Sequence, residues 1–266
     1  MKQQLYGLIG FPAMHSKSPR MHNTAMKKLN INAKYQAFEF PTELLDSKVE
    51  QLKNLNIQGF NVTMPFKKKI IKYLDDLDDT AKKLQSVNTV ENVNGKWIGH
   101  STDGEGFWKT IKSDPKTVAL IGSGGAAKSI LLSKPDNVTV HIFNHKSIRF
   151  SQHSEEIKKI MNIELENLSD IESILPKTDL VINATNVGMQ DEHSVLSKLD
   201  FELMNGGSAV DIIYRDRPTE FLKLAQEAGL KTKNGLDMLV SQGALSFEVW
   251  FQRKAPIELM NEVVKK

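Results

Sequence analysis

The chain has 266 residues, a length that suits one large α/β unit or two modest domains. It contains no cysteine, which removes disulfides, thiol nucleophiles and thiolate zinc sites, and its seven histidines are scattered with no third ligand near His15 and His22, so no metal is expected. A formal net charge of +3 is too small to argue for nucleic acid, is compatible with an anionic small ligand, and accompanies no run of the roughly 18 apolar residues that a membrane span needs.

Met1-Lys2-Gln3-Gln4 leads into an apolar stretch too short for a secretory signal, so a cytoplasmic protein is expected. Leu5 to Ile9 is a short apolar run ending at Gly10, suited to a buried strand. Ser18-Pro19 then starts a helix, with Ser18 as its cap and Pro19 at the first helical position. Ala33 to Phe40 reads as extended, Leu44 to Leu55 as helical and Gly59 to Thr63 as a strand; Pro65 opens a further helix through Leu74. Asn94-Gly95 between Thr89–Val93 and Lys96–Ile98 signals a hairpin. Parallel strands joined by helices, with one antiparallel hairpin, make this half α/β. After the polar break at Ser113-Asp114-Pro115 a second α/β run begins, with strands at Thr117–Ile121, Val138–Phe143, Leu180–Asn183, Val210–Ile213 and Lys231–Lys233. A short helix is expected at Ala126–Leu132, and further helices between the later strands. From Leu236 to Lys266 only helices are expected.

Gly122-Ser123-Gly124-Gly125-Ala126-Ala127 fits the pattern G-x-G-x-x-[GA] between a buried strand and a helix. Gly122 permits the tight turn, Gly124 lets backbone approach a pyrophosphate, and Ala127 keeps the helix close to the sheet. The helix N-terminus offers free N–H groups and the positive end of its dipole to phosphate. With a second strand in place, a dinucleotide site outweighs an ordinary glycine turn. A site that prefers NAD places an acid at the end of that strand; here stand Asn144-His145-Lys146, and a basic pair suits the extra phosphate of NADP. The same missing acid counts against S-adenosylmethionine.

Three further segments carry little weight singly. Ser16 and Ser18 are hydroxyls poised after a strand, Lys67 heads a run of three lysines of which at most one faces a cleft, and Val87-Asn88-Thr89 precedes Ser101-Thr102-Asp103-Gly104. Taken in order, with His15-Ser16-x-Ser18-Pro19-x-x-His22-Asn23, Asn61-Val62-Thr63-x-Pro65-Phe66-Lys67, Thr102-Asp103-x-x-Gly106-Phe107, Asn183-Ala184-Thr185-Asn186-x-Gly188-Met189, Asp211-Ile212-Ile213-Tyr214, Asn234-Gly235-Leu236-Asp237-Met238-Leu239 and Gln242-Gly243-Ala244, the set resembles the shikimate dehydrogenase family over nearly its whole length.

The resemblance implies an α/β fold of two domains: a mainly parallel substrate domain at 1–103 and a Rossmann-type NADP-binding domain at 104–235, with helices at 236–266 returning to the first. It implies NADPH-dependent reduction of 3-dehydroshikimate to shikimate in aromatic amino-acid biosynthesis, with small-molecule partners only; monomer and homodimer both remain open. Lys67 is then the acid/base group with Asp103 beside it. An ammonium can stabilise and protonate the alkoxide left by hydride addition, and oxidation of shikimate, which needs the neutral amine, is expected to be favoured at higher pH. Ser16 and Ser18, with Tyr214, would bind the substrate carboxylate, and Asn61, Thr63, Asn88, Asp103 and Gln242 the ring hydroxyls. Gly122, Ser123, Gly124, Gly125, Ala126, Asn144, His145, Lys146 and Thr185 would hold the cofactor, with Gly235 and Met238 near the nicotinamide. The chain departs from the family at Ser101, usually Asn, at Gln85-Ser86, at Asp216, and at His145, where an arginine usually grips the 2′-phosphate, with Lys146 replacing a small hydroxyl residue. A relative that also oxidises quinate or uses NAD, and a catalytically silent binding protein, are the alternatives; retention of Lys67 and Asp103 argues against the second.

Overall fold

Two six-stranded sheets organise the computed structural model, which describes residues 3–266. The chain divides into two units, one running to Gly106 and taking up Leu239–Lys266, the other formed by Phe107–Met238. Each boundary falls three residues beyond the expected one.

The first unit comprises β1 (Gln4–Gly10), α1 (Ser18–Lys28), β2 (Ala33–Glu39), α2 (Leu45–Asn54), β3 (Gly59–Val62), β4 (Asp76–Leu77), α3 (Asp79–Leu84), β5 (Thr89–Val93) and β6 (Lys96–His100), and α4 (Asp103–Trp108) begins in it. The sheet runs β2-β1-β3-β5-β6-β4. β1 is parallel to β2 and β3, while β5 is antiparallel to β3 and β6. This register has a consequence for function. Asn61 at the end of β3 pairs with Thr89 at the start of β5, which pairs with His100 at the end of β6. The segments after β1, after β3, before β5 and after β6 therefore leave the sheet at one edge. Beneath them Ile9, Phe60, Val62, Phe66, Val90 and Trp97 form a buried core, each large side chain contributing on the order of 1.5–3 kcal/mol. The last helices, α9 (Leu236–Phe251) and α10 (Ile257–Lys265), close this unit: the Trp250 indole donates to the Val90 carbonyl at 2.9 Å, and Lys17 donates to the Val264 carbonyl at 2.9 Å.

The second unit runs β7 (Thr117–Ile121), α5 (Gly125–Leu132), β8 (Thr139–Asn144), α6 (Phe150–Ile160), β9 (Leu165–Asn167), β10 (Leu180–Asn183), α7 (Lys198–Glu202), β11 (Ser208–Asp211), α8 (Glu220–Glu227) and β12 (Lys231–Lys233). Its sheet is wholly parallel, in the order β12-β11-β10-β7-β8-β9. Alternate residues of β7 face opposite sides: Val118 and Leu120 join one buried core with Ile130, Ala119 and Ile121 another with Phe201 and Phe221. Chain order reverses between β7 and β10, the switch point where a doubly wound sheet binds its ligand.

Some local expectations give way. Ser18 is not the cap of α1; Lys17 is, because its carbonyl accepts the Met21 N–H, while the Ser18 N–H goes to the Ser16 hydroxyl at 3.2 Å. Pro65 opens turns and then a 3-10 segment at Lys69–Tyr73 rather than a helix. The Lys67 carbonyl is taken by the Val87 N–H at 2.9 Å, so the Ile71 N–H falls back on Lys68. The strand expected at Val210–Ile213 ends at Asp211, whose carboxylate captures the Ile213 N–H. β4, α3 and β9 carry no signal strong enough to be read. No helix of the described residues is long and apolar enough to cross a membrane, and no group of three His, Cys, Asp or Glu among them could hold a metal ion.

Candidate active site

Lys67 owes its place to Phe66. That ring is fully buried and stacks on Phe40 at 5.0 Å, which pins the turn after β3 and leaves Lys67 aimed along the sheet edge. Its Nζ meets Oδ2 of Asp103, at the start of α4, at 2.5 Å. Lys68 and Lys69 are exposed. Oδ1 of Asp103 accepts from Asn88 Nδ2 at 2.9 Å, and the same NH2 group shares its two protons with Thr102 Oγ1 at 2.8 Å and Gln242 Oε1 at 3.2 Å. The Thr102 N–H donates back to Asn88 Oδ1 at 2.8 Å. Four of the residues expected at the site, Lys67, Asn88, Asp103 and Gln242, thus form one connected set within the first unit.

Asn61 belongs to the same cluster but behind it. It is 6% exposed, its Oδ1 accepts from the Tyr35 hydroxyl at 2.8 Å, and its Nδ2 faces the Asn88 carbonyl, Thr89 Oγ1 and Ser246 Oγ. Both ends of the amide have partners inside the protein, and one of them, the Asn88 carbonyl, ties Asn61 to residue 88. Burial pushes the Tyr35 phenol well above its ordinary range, which keeps it a donor. His22 stacks on Tyr35 at 4.5 Å, fully buried with neither ring nitrogen partnered, and its pKa is pushed down to about 3 by that burial. Tyr35, Thr89, Thr102 and Ser246 were not expected to contribute. Thr89 and Thr102 stand beside Asn88 and Asp103 in the motifs that carry the resemblance, and Ser246 lies one helical turn from Gln242, whose carbonyl its hydroxyl reaches at 3.0 Å.

Ser16 and Ser18 lie in the segment after β1, Ser16 half-buried and Ser18 at 5% exposure. Ser16 Oγ accepts the Ser18 N–H, which leaves its own proton to donate. The segment is tied down by Glu39 at the end of β2, whose carboxylate accepts the N–H groups of Ala13 and Met14 at 2.5 and 2.8 Å; those two bonds lower its pKa. Thr63 follows β3, half-buried, with its N–H on the Ile9 carbonyl.

The remaining candidates lie in the second unit. Gly122 ends β7 with φ of +114°, and a Cβ there would stand 2.8 Å from the Ala184 carbonyl oxygen, so two independent constraints demand glycine. At Gly124 a Cβ would meet nothing within 4 Å. The turn is open there, in front of the uncapped N-terminus of α5, and that space suits the approach of a pyrophosphate. Gly125 is exposed, Ala126 is half-buried and Ala127 is fully buried against the sheet. Ser123 is buried and turned inward, bonded to Asn144 at the end of β8. His145 and Lys146 are exposed on the loop that follows, and the loop carries a further basic residue, Arg149, at the cap of α6. Thr185 follows β10 with its hydroxyl on Asn183, Gly235 donates to the Ile213 carbonyl, and Met238 packs on the core of this unit. Tyr214 follows β11, and burial raises its pKa. No acid stands at the end of β8, and the residues present fit a dinucleotide carrying an extra phosphate.

Residues 8–90 match the family model for the shikimate dehydrogenase substrate binding domain, and residues 235–265 that for the shikimate 5′-dehydrogenase C-terminal domain. A shikimate dehydrogenase (NADP+) of Methanococcus vannielii is 41% identical over 99% of this chain and 96% of its own length. A solved shikimate dehydrogenase in complex with NADP+ superimposes with a TM-score of 0.88 at 34% identity, covering 98% of this chain and 94% of that one. The shikimate 5-dehydrogenase of Listeria monocytogenes, solved with shikimate and NAD, gives a TM-score of 0.88 at 33% identity over 98% and 96% of the two chains. With this likeness spanning nearly its whole length, the chain belongs to the shikimate dehydrogenase family.

Proposed function

We propose that this chain catalyses the reversible reduction of 3-dehydroshikimate to shikimate with NADPH, a step of aromatic amino-acid biosynthesis. The observation that carries the reading is the Lys67–Asp103 ion pair at 2.5 Å, set among the amides of Asn88 and Gln242. When bound, the reduced nicotinamide supplies the hydride. The residues of the chain supply the rest. Lys67 stands as an ammonium held by the Asp103 carboxylate, and it gives its proton to the alkoxide that forms at the substrate carbon. In the oxidative direction the neutral amine of Lys67 takes the proton from the hydroxyl. Asp103 and Asn88 hold Lys67 in position, and Thr63, Asn88, Asp103 and Gln242 offer the polar surface for a small polyol. Substrates lacking a hydroxyl leave such groups unpaired and are rejected. Ser16 donates to the substrate carboxylate, with Ser18 next to it.

The open turn at Gly124 and the cations Lys146 and Arg149, with His145 as a further donor, support NADP over NAD, since they present positive charge where an NAD site presents an acid. Initial rates with shikimate and with quinate, each with NADP+ and NAD+, test the reading. Shikimate with NADP+ is expected to be the fastest combination, and no turnover with any of the four from folded protein would overturn it.

A further inference from the structure

The glycine turn contains one hydroxyl, Ser123, and that hydroxyl faces away from the space in front of α5. Ser123 is 3% exposed, and its Oγ lies 2.6 Å from Asn144 Nδ2 and 2.6 Å from His153 Nδ1. The orientation of the Asn144 amide is set by its other end, because Oδ1 accepts the His145 N–H at 2.9 Å and the NH2 group must then face Ser123. Ser123 Oγ thus accepts from Asn144, and the same oxygen shares a hydrogen bond with Nδ1 of His153, in which either atom can be the donor. One oxygen joins three elements: the glycine turn, the end of β8 and the second turn of α6.

The chain between the two anchors is the basic loop. Asn144 closes β8, His153 lies in α6, and His145, Lys146 and Arg149 stand between them, all exposed. The two ends of this loop are fastened to the same hydroxyl, so its cations are held in one relation to the turn without any contact of His153 with a ligand. Ordering a loop before binding removes an entropy cost that would otherwise be taken from affinity. We infer that His153 is a specificity-setting positioning residue of the dinucleotide site: acting through Ser123, it fixes the basic loop against the glycine turn and so supports selection of the dinucleotide that carries the additional phosphate.

The inference rests on the proposed function, and its test separates the two. His153→Leu keeps the bulk of the ring but makes no hydrogen bond. It is expected to raise KM for NADP+ about tenfold, the effect of roughly one hydrogen bond and the ordering it supports. KM for NAD+, KM for shikimate and kcat should change less than about twofold. His153→Asn places an amide, able to accept or donate, where Nδ1 stands, and should restore most of the affinity for NADP+. Ser123→Ala should show the same loss, and adding His153→Leu to it should cost nothing more, because both act through one bond. Equal loss for NADP+ and NAD+, or a further tenfold loss in the double variant, overturns the inference. Should the wild-type protein fail to oxidise shikimate, the proposed function falls, and the inference is then read from NADP+ binding by calorimetry, where His153→Leu must again weaken NADP+ about tenfold and an unchanged affinity overturns it.

Discussion

The side-chain amide of Asn88 donates to Oδ1 of Asp103 at 2.9 Å, the carboxylate oxygen that Lys67 leaves free. The carboxylate is therefore fixed from two sides, and the direction in which it presents Lys67 is fixed with it. Asn88→Ala leaves Oδ1 of Asp103 and the Thr102 N–H without these partners in a buried setting, a loss of about 1–3 kcal/mol for such a group. The expected outcome is a 10- to 100-fold fall in kcat/KM for shikimate, about what that energy allows, with a lowered melting temperature. An unchanged kcat/KM would contradict the positioning role.

The proposed role of Ser16 is in binding rather than in the chemistry. Its hydroxyl oxygen accepts the Ser18 N–H, so its proton is available to a carboxylate. Ser16→Ala is expected to raise KM for shikimate about tenfold, as for one charge-assisted hydrogen bond, and to leave kcat within about threefold. Steady-state kinetics at saturating NADP+ separates the two constants; a fall in kcat with KM unchanged would reverse the assignment.

Two glycines of one turn should fail in different ways. Gly122→Ala forces a side chain into a backbone of φ +114° and places a Cβ 2.8 Å from the Ala184 carbonyl oxygen, so the loss appears in thermal stability, by about 1–3 kcal/mol. Gly124→Ala adds a Cβ that meets no atom of the protein within 4 Å. The variant should melt as the wild type does and lose affinity for NADP+, and retained affinity would show that the space is not where the dinucleotide lies.

Acid should destabilise the first unit through His22. Burial lowers its folded pKa to about 3 from the usual 6.5, so the unfolded chain takes up a proton that the folded chain refuses. The stabilisation is complete above pH 6.5 and is lost as pH falls toward 3, at up to about 1.4 kcal/mol per pH unit. Denaturant titrations at a series of pH values should show this slope in the wild type and a shallower one in His22→Phe. Equal slopes would place the acid sensitivity elsewhere.

What could be read in the sequence were features with a local period or a local backbone demand. The continuous apolar run of Thr117–Ile121 and the positive φ of Gly122 are written into a few adjacent residues, and so is the Asn94-Gly95 hairpin. The end of the helix expected after Pro65 was not, because it depends on the Val87 N–H reaching the Lys67 carbonyl from another segment. The ordered motifs carried Lys67 and Asp103, yet nothing local to either states that they meet; the β3-β5-β6 register does. The inward partners of Asn61 are not legible either, because an amide looks alike in sequence whether it faces a ligand or a neighbour. Its partners Tyr35 and Ser246 come from β2 and α9, at sequence distances where no spacing rule operates. His153 was invisible for the same reason, since only the packing of α6 brings it to Ser123.

The central claim is that the ammonium of Lys67, held by Asp103, is the proton donor and acceptor of the reaction. The most direct measurement is the rate of shikimate oxidation by NADP+ at saturating concentrations in Lys67→Ala beside the wild type, with folding checked by circular dichroism and shikimate binding measured separately. The account predicts a fall in kcat of about 10²- to 10⁴-fold with shikimate affinity largely kept. A folded variant that turns over within a few-fold of the wild type would contradict it.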